Sequence, residues 1–276
     1  SLTTNYAFTV QLINNADYNT FSLCNIKAST TTTSTNHTAV VISGSATSQT
    51  TSGASGNYNT FIDNTISGGY YGITMVGGGT GTENLGNNFT NNIIKDCYSY
   101  CMYMLYQRQA IIFNNDISRP TRTASTTTAG IFQTTGCYGN DVENNKIHNM
   151  FDAFTASTSA FYGLYLVTSG TVAEPNKIIN NVIYDIKGSG SIYGFYNSAA
   201  GNTKFYHNTM SYDYAASTAG LVYGIYQTGT ASNVDIRNNL IAISKGGTAA
   251  KVGLYYASTS STINSNNNVI YLNATG

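Results

Sequence analysis

Apolar residues in this chain come in short runs that alternate with polar ones at period two, and the runs recur about every thirty residues. One recurring unit is Gly, an apolar residue, then usually Tyr. It stands at Gly72-Ile73-Thr74, Cys101-Met102-Tyr103, Gly130-Ile131-Phe132, Gly163-Leu164-Tyr165, Gly194-Phe195-Tyr196, Gly224-Ile225-Tyr226 and Gly253-Leu254-Tyr255. The other unit is Asn-x-Ile/Met, at Asn64, Asn92, Asn115, Asn145, Asn181, Asn208, Asn239 and Asn268. Three residues before each of these Asn sits an apolar residue (Phe61, Phe89, Ile112, Val142, Ile178, Phe205, Ile236), and Ser265 breaks the series. A fixed period of this size marks a repeat protein. Runs this short, rich in β-branched and aromatic residues, mark strands. Nowhere do apolar residues recur at i, i+3, i+4 and i+7 over several turns.

Three short strands per unit with no crossover helix predict the coil of a parallel β-helix. One strand ends at the Asn, one follows it, and one carries Gly-apolar-Tyr. At the tight bend between the first two strands one residue must be left-handed, and the repeated Asn is expected to take that conformation. Its amide is expected to pair with the equivalent amide of the next coil, forming a ladder. A second column precedes it: Asn91, Asn114, Asn144, Asn180, Asn238 and Asn267, with Asp63 and His207 as variants. The first quarter is more degenerate but in phase. Tyr18-Asn19-Thr20-Phe21 matches Tyr58-Asn59-Thr60-Phe61, which puts Cys24 at the ladder position and Ile26 after it. Ala7-Phe8-Thr9 and Ala39-Val40-Val41 then fill the Gly-apolar-Tyr slot. About nine coils result, a rod on the order of 43 Å long at the usual strand spacing.

This pattern resembles the repeat of pectate-lyase-like proteins, and the resemblance covers nearly the whole chain. Repeats such as Val234-Asp235-Ile236-Arg237-Asn238-Asn239-Leu240-Ile241 are also similar to those of very large secreted bacterial surface proteins. The resemblance implies one all-β domain over 1–276, a right-handed parallel β-helix, and a secreted or cell-surface location. It leaves activity open, because the fold carries lyases, hydrolases, phage tailspikes and non-catalytic surface proteins. Neither end shows the polar or helical plug that solenoids usually carry. The expectation is therefore a segment of a longer solenoid, or ends that stack on neighbouring segments or subunits.

Charge narrows the partners. Charged residues make up 9% of the chain and the net charge is zero. The Lys and Arg are scattered without a basic patch, so no nucleic-acid partner is expected. No apolar run reaches transmembrane length, so no membrane insertion is expected. The four cysteines (Cys24, Cys97, Cys101, Cys137) share no metal-like spacing and read as small buried hydrophobes. No metal and no cofactor is expected.

Alternation along the Gly-apolar-Tyr strand sends its apolar residue inward and its aromatic residue outward. Stacked coils then line up Tyr103, Phe132, Tyr165, Tyr196, Tyr226 and Tyr255 on one outer face. Such a file can bind sugar rings, and it can also steady a parallel sheet by like-on-like packing. A catalytic reading needs paired acids or a base with a cation. The candidate acids are Asp96, Asp116, Asp141, Glu143, Asp152, Asp185, Asp213 and Asp235. No two share a column in adjacent coils on the Tyr face, and they read as solvated loop charge. Arg119-Pro120-Thr121-Arg122 is only vaguely similar to the Arg-x-Pro-x-x-Arg motif of pectate lyases, because the spacing differs. The sequence therefore points to a non-catalytic extracellular scaffold or adhesin module that presents its aromatic strip to a polysaccharide or cell-surface glycan. A polysaccharide lyase or glycoside hydrolase, or a filament subunit, is the alternative.

Overall fold

In the computed structural model, which describes residues 5–274, the repeat forms a parallel β-solenoid of about nine turns. Three nine-stranded parallel sheets run along the rod, and each turn gives one strand to each. A short strand such as Ile111–Phe113 or Asn176–Ile179 approaches the ladder Asn and belongs to the approach sheet. A second, such as Asp116–Ser118 or Val182–Ile186, leaves it and belongs to the exit sheet. A six-residue strand such as Phe161–Leu166 carries Gly-apolar-Tyr and belongs to the wide sheet. Register keeps like on like: Ile112 lies between Phe89 and Val142, and Leu164 between Ile131 and Phe195.

Each sheet lines the core with a continuous apolar column, and the six-residue strands of the wide sheet add a second one, including Met75, Met104 and Leu166. Phe61, Phe89, Ile112, Val142, Ile178, Phe205 and Ile236 come from the approach sheet, and all are buried. Ile66, Ile94, Ile117, Ile147, Ile183, Met210 and Ile241 come from the exit sheet, and Ile73, Met102, Ile131, Leu164, Phe195 and Ile225 from the wide one. Phe21, Phe61 and Phe89 stack with ring centroids 4.7 Å apart. Each such side chain contributes about 1.5–3 kcal/mol of apolar burial. The sheets therefore bury one face each against a shared interior.

The ladder is continuous from Asn64 to Asn268. Each buried amide donates one Nδ2–H to the Oδ1 of the next coil's Asn, at 2.9–3.1 Å. Its other Nδ2–H goes to a carbonyl of the preceding coil, as in Asn181 to Val142 O at 2.9 Å. The backbone N–H donates to the same Oδ1, as in Asn181 to Asn208 at 2.9 Å. The left-handed residue is not the ladder Asn, contrary to the sequence expectation. It is the residue before it: Asn91, Asn114, Asn144, Asn180, Asn238 and Asn267, with Asp63 and His207, all at positive φ. Adjacent columns thus divide the work. The first bends the chain, and the second turns its amide inward to join coils.

Two further differences are local. In the first coil Val10 pairs with Val40, so Thr9-Val10-Gln11 fills the slot assigned to Ala7-Phe8-Thr9, a shift of two residues. A second, shorter amide series lies at the start of the approach sheet. Asn19 donates to Asn59 and Asn59 to Asn87 through their backbone N–H groups, each at 2.9 Å, and Asn87 Nδ2 reaches Gln107 Oε1 at 3.3 Å.

Three of the cysteines, Cys97, Cys101 and Cys137, are buried, but Cys24 is exposed; all four are free thiols. Burial, and then contact with Cys97, holds the Cys101 thiol well above the ordinary range.

Candidate functional site

The wide sheet shows how the sequence builds an aromatic surface. In Phe161–Leu166 both Gly163 and Leu164 are buried, so the in–out alternation slips by one residue at the glycine. Pairing between neighbouring strands skips that glycine: Tyr162 opposes Tyr193, and Leu164 opposes Phe195. A Cβ on Gly163 would lie 2.4 Å from Ile183 Cδ1 and 2.6 Å from the Gly194 carbonyl oxygen, so the slip needs glycine there. The residue before the glycine and the residue two after it consequently both face outward. The expected file of Tyr103, Phe132, Tyr165, Tyr196, Tyr226 and Tyr255 is joined by a second one of Tyr71, Tyr100, Tyr162, Tyr193 and Tyr223. The second file went unseen in the sequence because strict alternation would bury it. The repeated Tyr-Gly-x-Tyr spelling was its signal.

The two files form one connected network. Along the first, Phe132 and Tyr165 stack at 4.3 Å, and Tyr226 and Tyr255 at 4.9 Å. Tyr165 meets Tyr196 edge-on at 4.6 Å. Across the files, Tyr162 lies 5.0 Å from Tyr165, Tyr193 5.3 Å from Tyr196, and Tyr223 4.4 Å from Tyr226. Such pairs contribute about 0.5–1.5 kcal/mol each beyond area burial, so the face stabilises the sheet whether or not it binds anything. The rings are half-buried by one another, and Tyr255 is 38% exposed. Toward the start of the chain Thr74 and Val41, in the same column as Tyr103, are fully buried. The open aromatic face therefore begins near Tyr71.

Its electrostatics are uniform. The nine strands of the wide sheet contain no Asp, Glu or Arg, and their one lysine, Lys251, and one histidine, His37, are buried. Burial raises the phenols of Tyr71, Tyr100, Tyr165, Tyr193 and Tyr226 above the ordinary tyrosine value, with neighbouring phenols adding to it. The same causes push Tyr162 up to about 12. Tyr103 is also raised by burial, against a hydrogen bond with Thr134.

Strand charge lies on the other two sheets, the exit sheet carrying Lys27, Lys95, Asp116, Lys146 and Asp185 and the approach sheet a continuous row. One outward row reads Asp141, Lys177, Lys204, Asp235 and Asn264. Lys177 Nζ lies 2.9 Å from Asp141 Oδ1. The Tyr206 hydroxyl donates to Asp235 Oδ2 at 2.6 Å and is pushed up to about 12 by burial and by that carboxylate. Glu143, two residues from Asp141 on the same face, is raised by burial and then by Asp141. Two concavities flank the loop 171–175. One of about 470 Å³ holds Lys204 and Asp235, and one of about 420 Å³ holds Asp141, Glu174 and Lys177.

The acids are thus not all solvated loop charge. Asp116, Asp141, Glu143, Asp185 and Asp235 lie on strands. Asp96 is buried and accepts from the Thr121 N–H and hydroxyl, each at 2.9 Å. The arginines of Arg119-Pro120-Thr121-Arg122 are buried too. Arg119 donates to the Cys97 carbonyl at 2.7 Å and the Ala124 carbonyl at 3.0 Å, and Arg122 to the carbonyls of Thr30 and Thr32. They tie loops together and face no open surface. Among the described residues no group of three or more His, Cys, Asp or Glu could hold a metal, and no helix is long and apolar enough to cross a membrane.

Neither the known family models, nor the curated proteins, nor the solved structures include a match to this chain. The class its architecture defines is a parallel β-solenoid repeat protein.

Proposed function

We propose that the chain is a non-catalytic, extracellular β-solenoid module that binds a glycan along its aromatic face. The observation that carries this is the connected surface of half-buried rings from Tyr71 to Tyr255, two rings wide in four of its coils. Sugar rings place their C–H faces on aromatic faces, and their hydroxyls find phenols at the ring rims. A rigid rod that holds the rings at fixed spacing binds without paying to order them.

The test is electrophoresis of the native chain through gels cast with polysaccharides. The wild type is retarded. A variant with Tyr196→Ala and Tyr226→Ala migrates freely and keeps its β-rich circular dichroism. Equal retardation of the folded variant and the wild type sinks the proposal.

A second reading rests on Asp141 and Glu143. Two carboxyls on one strand face, one raised toward protonation, are a pattern that glycoside hydrolysis uses. Clearing of the gel matrix by the wild type but not by Glu143→Gln would favour it.

A further inference from the structure

The aromatic face and the charged face lie on different sheets of the same rod, and that separation bears on the ligand. Every outward position of the two aromatic files from Tyr71 to Tyr255 is Tyr, Phe, Thr, Ala or Val. The lysines and carboxylates carried on strands, apart from the buried Lys251, sit on the other two sheets: Lys177, Lys204, Asp141 and Asp235 on the approach sheet, and Lys27, Lys146 and Asp185 on the exit sheet. An anionic sugar laid on the rings would lose hydration from its carboxylate or sulfate and meet no cation in return. Desolvating an unpaired charge costs more than a ring contact supplies. A sugar whose only polar groups are hydroxyls meets no such penalty, because phenols both donate and accept.

Geometry adds a second restriction. Along one file, successive centroids from Phe132 to Tyr255 are 4.3, 4.6, 5.3 and 4.9 Å apart, with no gap between coils. The face is seven coils long, from the strand Tyr71–Val76 to the strand Lys251–Tyr256, and two rings across at Tyr100 and Tyr103, Tyr162 and Tyr165, Tyr193 and Tyr196, and Tyr223 and Tyr226. That outline is a track and not a pocket. A single sugar would cover a small part of it, and an extended chain lying along the rod would engage ring after ring.

We infer that the aromatic face takes a linear, uncharged polysaccharide, aligned with the rod axis, and rejects acidic ones. This rests on the glycan-binding reading above and names its ligand class.

The experiment uses the whole chain in native gels cast with an unbranched neutral glucan, an unbranched neutral mannan, a polyuronate or a sulfated galactan. Each is run at low and at high salt. Isothermal titration follows, with oligomers of increasing length from whichever polymer retards the chain. The expected result is retardation by a neutral polymer, unchanged by salt because no ion pair contributes. Affinity should rise with oligomer length over several sugar units. A Phe132→Lys variant should gain retardation on the polyuronate, since it adds the missing cation without removing the neighbouring rings. Retardation of the wild type only by the charged polymers, or retardation that salt abolishes, overturns the inference. If the Tyr196→Ala, Tyr226→Ala variant loses that retardation too, glycan binding on this face stands and only its ligand class is wrong. Saturation of affinity at a single sugar unit overturns the track. Free migration of the wild type in every gel withdraws the glycan reading itself, and this inference with it.

Discussion

Replacing Asn181 with leucine isolates what the ladder contributes. In the native coil, Asn181 Oδ1 accepts the Asn145 backbone N–H and the Asn145 Nδ2–H, both at 3.0 Å. Leucine removes that acceptor and leaves two donors of Asn145 buried without a partner. Each buried unsatisfied donor costs about 1–3 kcal/mol. The added apolar surface at a fully buried corner offsets part of this, so the net loss should be ~3 kcal/mol. None of it is backbone strain, because the left-handed residue is Asn180. Two companions make the argument specific. Asn180→Gly should be nearly neutral, since glycine accepts positive φ, whereas Asn180→Leu should cost ~1–2 kcal/mol. Asn268→Leu should cost well under half of Asn181→Leu, because Asn268 is half-exposed and water can serve the orphaned donors. The assay is urea unfolding followed by far-ultraviolet circular dichroism, comparing midpoints at matched slopes. An Asn181→Leu midpoint within error of wild type would refute the ladder account. So would a larger loss for Asn180→Gly than for Asn181→Leu, which would return the left-handed role to the ladder residue.

Tyr212 is fully buried and its hydroxyl has no hydrogen-bond partner among the described residues. Tyr212→Phe should therefore leave stability unchanged or raise it by up to ~1–2 kcal/mol in the same assay; a clear loss would reveal a partner for the hydroxyl. The aromatic face predicts a pH dependence of definite sign. The phenols of Tyr71, Tyr100, Tyr103, Tyr162, Tyr165, Tyr193 and Tyr226 are raised when folded, so above pH ~10 the native state keeps protons that the unfolded chain releases. The stability they contribute is whole below pH ~10 and is lost as pH climbs toward the value of about 12 reached by Tyr162. The urea midpoint should fall across that interval, and the phenolate absorbance of these rings should develop above pH ~10 in the folded chain. Titration of these seven phenols near pH ~10 would contradict the packed network.

Much of this molecule is legible as a string. The period, the three strands per coil, the ladder column and the inward apolar columns follow from spacing alone. Two things were hidden, for different reasons. Ladder and bend occupy neighbouring columns that are both mostly Asn, so composition does not separate their roles. The variants do: the bend column admits Asp63 and His207, which can be left-handed, while the ladder column keeps its amide from Asn64 to Asn268. The second aromatic file is hidden because unbroken alternation buries it, and a glycine that lets two successive residues point inward resets the phase. The candidate site is therefore half visible in the sequence: alternation places the file after the glycine outward and hides the file before it. The buried arginines had no sequence signal, because their partners are backbone carbonyls of loops far apart in the chain.

The span from one ladder Asn to the next is 23 residues between Asn92 and Asn115 and 36 between Asn145 and Asn181, yet the connecting amide bonds are 3.1 and 3.0 Å. Pitch and chain length are therefore decoupled. A loop can gain or lose a dozen residues without moving the aromatic surface out of phase, because each rung restarts the count. Such a rod is a lattice of constant spacing with editable margins. Variation can accumulate along its rims while the spacing of its rings stays fixed.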